Sequence, residues 1–140
     1  MPTEMVMLER AWWFGAALML ALGVGCGGDP CNDAEDRTVL LSDLPCSMMS
    51  AGGVWESHPL PPIADERCYW LEFKACSTYR FENPLTEAPK TVIGYTSFDS
   101  NGTFSTVGSG NSFVVQEATD SEVIIRNSQN QLFWLRLVLE

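Results

Sequence analysis

Residues 132–139 read LFWLRLVL, and this stretch decides the fold class. Side chains alternate across a strand, so Phe133, Leu135, Leu137 and Leu139 share one face. Leu132, Trp134, Arg136 and Val138 share the other. Both faces are largely apolar. A strand of that kind belongs in the middle of a sheet, or has its second face covered by other chain.

Working back from this strand, short segments of the same character recur. Glu122–Asn127 (EVIIRN) and Phe113–Ala118 (FVVQEA) are separated by Thr119-Asp120-Ser121, and Ser128-Gln129-Asn130 separates EVIIRN from the last strand. Thr103–Val107 (TFSTV) and Thr91–Phe98 (TVIGYTSF) flank Asp99-Ser100-Asn101-Gly102. Asn-Gly takes positive φ readily, so this reads as a β-hairpin. Ser77–Phe81 (STYRF) and Cys68–Phe73 (CYWLEF) are rich in the aromatic residues that strands favour. Proline loops lie at Asn83–Lys90 and around Pro59, Pro61 and Pro62. Strands joined by short turns imply a mainly β, antiparallel meander. No internal repeat or low-complexity segment interrupts it.

The N-terminal part is different. Residues 11–24 (AWWFGAALMLALGV) are uncharged. Their length is short of the roughly 20 residues a bilayer-spanning helix needs and suits a signal-peptide apolar region. A retained helix and plain secretion are the rival readings. The glycines at 23, 25, 27 and 28 oppose a continuous helix. Residues 27–36 (GGDPCNDAED) form a polar tether, and the segment around Cys46–Gly53 is a short helix or irregular chain pinned by cysteines. The expected organisation is a signal peptide over 1–25, a tether and disulfide-pinned segment over 26–52, and a β domain over 53–140.

Composition narrows the function. The chain holds 8 basic and 18 acidic side chains, and removal of residues 1–25 leaves 7 and 16. Nucleic acid is excluded as a natural partner, because phosphate binding needs a basic footprint. Electrostatic docking to anionic lipid is disfavoured for the same reason. Cys26, Cys31, Cys46, Cys68 and Cys76 make an odd set. Modification of Cys26 leaves four, which suits disulfides in an oxidising compartment. No cysteine spacing matches a zinc knuckle, and the one histidine, His58, adds no second ligand. The sequence therefore implies no metal and no cofactor.

Four cysteines allow three pairings. If residues 68–76 are extended, the two cysteines there stand about 26 Å apart. That exceeds the usual disulfide span. Cys31 and Cys46 are then expected to pair with Cys68 and Cys76, in an order left open. A bent or helical 65–76 segment would instead allow Cys68 to join Cys76.

Catalytic constellations are weak. Asp99-Ser100-Asn101-Gly102 fails the calcium-loop pattern, since the sixth and twelfth positions hold Phe104 and Gly110. Gly108-Ser109-Gly110 lacks the surroundings of a nucleophile elbow. A Ser-His site would have to centre on His58, in a proline-rich loop. The chain reads as a non-enzyme with no catalytic residues, and its ligand-binding residues are unknown.

Two resemblances add to this. Leu22-Gly23-Val24-Gly25-Cys26-Gly27-Gly28-Asp29 resembles the end of bacterial lipoprotein signals, although Gly23 stands where an aliphatic residue is expected. The resemblance implies acylation (palmitate-type) of Cys26 as the mature N-terminus. It also implies a lipid anchor in the cell envelope, with Gly27 pointing to the outer membrane, on its periplasmic side or at the cell surface. Gly53-Val54-Trp55 and the hairpin from Tyr95 to Phe104 are similar to small bacterial lipocalin-like domains. That similarity implies a β-barrel with Trp55 closing its base and a mouth for a small apolar ligand. Twelve aromatic residues follow Cys26. Core filling is their default use; in a hollow barrel, residues such as Phe98, Phe104, Phe113 and Phe133 would line the cavity instead. The expected function is a lipid-anchored binding module for a small apolar ligand. The alternatives are a module that binds an envelope protein or serves a structural role, and, third, an envelope hydrolase.

Overall fold

The computed structural model describes Cys31 and residues 34–140. The 1–25 signal segment and the Cys26 acylation site lie outside the described residues. The described residues form ten strands: β1 (Asp36–Val39), β2 (Met48–Met49), β3 (Trp55–Glu56), β4 (Leu71–Phe73), β5 (Thr78–Glu82), β6 (Val92–Ser97), β7 (Thr106–Val107), β8 (Val114–Ala118), β9 (Glu122–Arg126) and β10 (Phe133–Leu139). They make two sheets and no closed barrel. One runs β1-β5-β9-β8; the other runs β2-β3-β10-β6-β7, with β4 also on β10.

The barrel expectation fails on long-range pairing. β1 pairs with β5 in parallel, through Asp36↔Thr78 to Val39↔Phe81. A parallel pair needs a long crossover and cannot belong to an up-and-down meander. The crossover passes through β2, β3 and β4, which sit in the other sheet. The segment before Gly53 also supplies strands β1 and β2 and the buried side chains Val39 and Leu44, so it forms part of the β domain.

β10 is central, as its two apolar faces require. β6 covers one edge along Trp134↔Ser97 to Leu139↔Val92. The opposite edge is divided: β4 takes Phe133 to Leu135 and β3 takes Val138 and Leu139. Phe133, Leu135, Leu137 and Leu139 face inward and meet Tyr79, Phe81, Val123 and Ile125 of the other sheet in a single core. Trp55, Phe73 and Phe113 fill the same space, and Phe73 sets its edge against Tyr79 at 5.2 Å.

This packing gives Phe113 and Phe133 the core-filling role and leaves Phe98 and Phe104 outside both core and cavity. Phe113 and Phe133 are core residues, whereas Phe98 and Phe104 are 71% and 90% exposed. The 98–104 turn folds back over the outside of the β10 sheet, held by Trp70 N–H donating to the Ser100 carbonyl at 2.8 Å. Gly102, at φ +72°, lies directly on the Trp70 indole.

The structure joins Cys31 to Cys76 and Cys46 to Cys68. The 65–76 segment is not one extended strand. A 3-10 turn over Glu66–Cys68, capped by the Asp65 side chain, precedes β4, and Cys76 turns the chain at φ +58°.

Two predictions follow from packing. A Cβ at position 102 would stand 2.5 Å from the Trp70 ring, in addition to the left-handed backbone. Gly102→Ala is expected to cost about 3 kcal/mol in urea unfolding. Gly53, at φ +81° with open space around it, should cost only about 1 kcal/mol as Gly53→Ala. The disulfides close loops of 45 and 22 residues. Chain-entropy reasoning gives about 4 and about 3 kcal/mol for them, so unfolding of the Cys31→Ala/Cys76→Ala and Cys46→Ala/Cys68→Ala variants should show losses in that order.

Candidate functional site

The divided edge of β10 creates the most polar buried place in the domain. Between β4 and β3 no strand is present to pair with β10, and Ser57 fills the gap. Its N–H donates to the Leu137 carbonyl at 2.9 Å, and its Oγ accepts the Leu137 N–H at 2.7 Å. A side-chain oxygen thus stands in for a strand carbonyl. His58 follows, with Nδ1 2.8 Å from Ser57 Oγ.

Arg136 sits at the same level of β10 and is only 3% exposed. Its Nε donates to the His58 carbonyl at 2.8 Å and its Nη2 pairs with Glu56 at 2.8 Å. The guanidinium lies 5.2 Å from the centre of the Tyr95 ring. Tyr95 is the cross-strand partner of Arg136, so both point to the same side of the sheet. The 57–70 segment closes over this outer side. Trp70, also buried, donates its indole N–H to the Pro59 carbonyl at 3.0 Å.

Burial, with the Arg136 charge adding to it, pushes the His58 pKa down from 6.5 to about 4. The ring is therefore neutral at pH 7, and Nδ1 can accept the Ser57 hydroxyl proton. A nucleophilic serine needs such a base, but also a route for substrate. Ser57 is 1% and His58 4% exposed, and the hydroxyl is committed to β10. In this arrangement the Ser57 hydroxyl oxygen completes the β10 ladder where no strand does.

An open groove lies at the end of β10 that carries Leu139. It holds about 420 Å³ and is lined by Met49, Gly53, Pro84, Leu85, Lys90 and Glu140, among others. Lys90 pairs with Glu87 at 3.4 Å, both largely exposed. The lining mixes apolar side chains with Glu87, Lys90 and Glu140.

Among the sequence-selected residues, the four disulfide cysteines lie on two sides of the domain, Trp55 is buried in the core beside Leu139, and His58 is buried. His58 stands in irregular chain, as its proline-rich surroundings imply, and the fold of 57–70 over β10 buries it. Ser57, Tyr95 and Arg136 were not singled out from sequence. Arg136 carried a signal: a lone charge inside LFWLRLVL has to find a partner or stay at an edge. Among the described residues, no group of three or more His, Cys, Asp or Glu side chains is placed to hold a metal.

The His58 environment makes stability pH-dependent. The unfolded ring takes up a proton below about 6.5, whereas the folded ring resists until about 4. Stability from this group is therefore complete above pH 6.5 and declines as pH falls toward 4, by up to about 3 kcal/mol. Urea unfolding between pH 7.5 and 4.5 should show this slope, and His58→Asn should flatten it. An unchanged slope would place a proton on His58 in the folded state.

The chain matches no protein-family model, and it has no match among curated proteins or solved structures.

Proposed function

We propose that the chain is a lipid-anchored, non-catalytic interaction module of a bacterial cell envelope. Acylated Cys26 is its anchor, and the two-sheet domain presents an outer surface to an envelope protein. The observation that carries the reading of the domain is its interior. The space between the sheets is taken up by Trp55, Phe73, Tyr79, Phe81 and the inward face of β10, all at or below 3% exposure apart from Phe133 at 7%. A ligand carrier of barrel type needs that space for its cargo.

Support for the anchor comes from the cysteines. Two disulfides account for Cys31, Cys46, Cys68 and Cys76, which leaves Cys26 as the cysteine available to lipid. Disulfides also suit an oxidising compartment outside the cytoplasm. The outer membrane is the address the signal resemblance implies.

The small-ligand reading keeps one favouring observation, the open groove at Met49, Leu85 and Lys90. Its mixed lining suits weak capture of a small amphiphile.

Mass spectrometry of the mature protein from bacterial membranes tests the anchor. The expected N-terminal peptide begins at Cys26 and carries acyl mass, and Cys26→Ser should yield no acylated species. A mature protein without acyl mass overturns the reading. Titration with apolar dyes and fatty amines separates the two uses of the domain: saturable binding abolished by Leu85→Glu selects the ligand reading over the interaction module.

A further inference from the structure

We propose that the end of the domain bearing Phe98, Phe104 and Leu132 docks on the surface of the bilayer that holds the anchor, and that the partner is neutral, zwitterionic lipid. The proposal rests on acylation of Cys26.

The first observation is where the tether enters. Cys31 is bonded to Cys76, and Cys76 N–H donates to the Gln129 carbonyl at 3.0 Å. Gln129 lies in the loop that runs into Leu132 and Phe133. Asn127, fully buried, ties the same loop to the β4–β5 turn through bonds from its amide to the carbonyls of Phe73, Lys74 and Gln131. The tether therefore enters at the Phe133 end of β10, opposite the groove.

The second observation is its length. Cys26 and Cys31 are five residues apart, a reach of at most about 17 Å. β10 has seven residues and spans about 20 Å, before the loops at either end are added. An acylated Cys26 cannot reach a bilayer lying against the groove end. The Phe133 end is the one within reach.

The third observation is what that end exposes. Phe98 is exposed and rests on Phe133 with ring centres 5.5 Å apart. Ser97 Oγ donates to the Thr103 carbonyl at 2.7 Å, which folds the turn so that Phe104 follows beside this end. Leu132 adds a third apolar group. In a chain of net charge −10, residues 100–116 and 127–135 contain no charged side chain. Asp99 is the charged residue within the turn, and Glu35 and Lys74 nearby neutralise each other as an ion pair. Exposed aromatics with few charges around them suit the headgroup region of a bilayer.

The mature acylated protein in vesicles of phosphatidylcholine with brominated acyl chains tests this. Phe104→Trp and, as a second reporter, Leu132→Trp should be quenched about twofold more than the parent protein, as expected for side chains entering the interface. Met49→Trp, at the groove end, should match the parent. Acyl mass is measured on the same preparations. With acyl mass present, quenching at Met49→Trp or at none of the three overturns the docking orientation and leaves the anchor standing. Absence of acyl mass overturns the anchor, and the docking proposal falls with it.

Discussion

A strand with two apolar faces constrains everything around it. β10 sits between two covers because neither Phe133, Leu135, Leu137 and Leu139 on one side nor Trp134, Arg136 and Val138 on the other is suited to water alone. The second sheet covers the first face with Tyr79, Phe81, Val123 and Ile125. The second face is covered by irregular chain, the 57–70 segment, which Cys46–Cys68 holds to the body of the domain. Irregular chain brings backbone polar groups with it, and buried ones must be matched. That requirement places Arg136, whose guanidinium satisfies the His58 carbonyl, and Ser57, which completes the ladder of β10 where no strand does. Leaving Arg136 unpaired in this position would be costly, on the order of 3–5 kcal/mol for removal of its acidic partner.

Two asparagines do comparable work at the two ends. Asn127 gathers three carbonyls at the tether end. Asn83 donates to the Glu87 and Thr119 carbonyls and accepts the Leu85 N–H beside the groove. Each binds two loops that come from different parts of the chain. Among the described residues, no buried side-chain nitrogen or oxygen lacks a hydrogen bond. Much of the polar interior is thus committed to holding loops in place.

What could be read from sequence was local. The alternation in β10, the strand segments at 78–82, 92–97, 114–118 and 122–126, and the turn at Gly102 each depend on neighbours within a few residues, so their patterns are visible in the chain. Sheet membership is not local. Nothing near Asp36–Val39 announces a parallel partner at Thr78–Phe81. The loop around His58 is announced by its prolines, but the burial of that loop depends on packing against β10, which no local pattern records. Phe98 and Phe104 were placed in the interior, as core or as lining, because aromatics usually seek it. The hydrogen bonds of the 98–104 turn hold them outside instead, and only Phe98 finds another ring. Cys68 and Cys76 were correctly treated as separate partners, although the segment between them bends where an extended strand was assumed.

The parallel β1–β5 pair leans on a disulfide. β1 has four residues, of which only Val39 is buried. It joins β5 across an intervening stretch of some forty residues, and closing a loop of that length carries an entropic cost that a single buried valine and a few ladder bonds do not readily offset. Cys31–Cys76 changes the balance. It fixes the chain five residues before β1 to the chain two residues before β5, with Cα atoms 5.3 Å apart, so the two strands begin side by side. In a reducing environment that alignment would have to be found at full entropic cost, and β1 would be the first strand to leave the sheet. Its departure would uncover one edge of β5 and release the N-terminal segment from the end where the tether enters. The disulfide that sets β1 beside β5 thus also ties the start of the described chain to the Gln129 loop at the Phe133 end of β10.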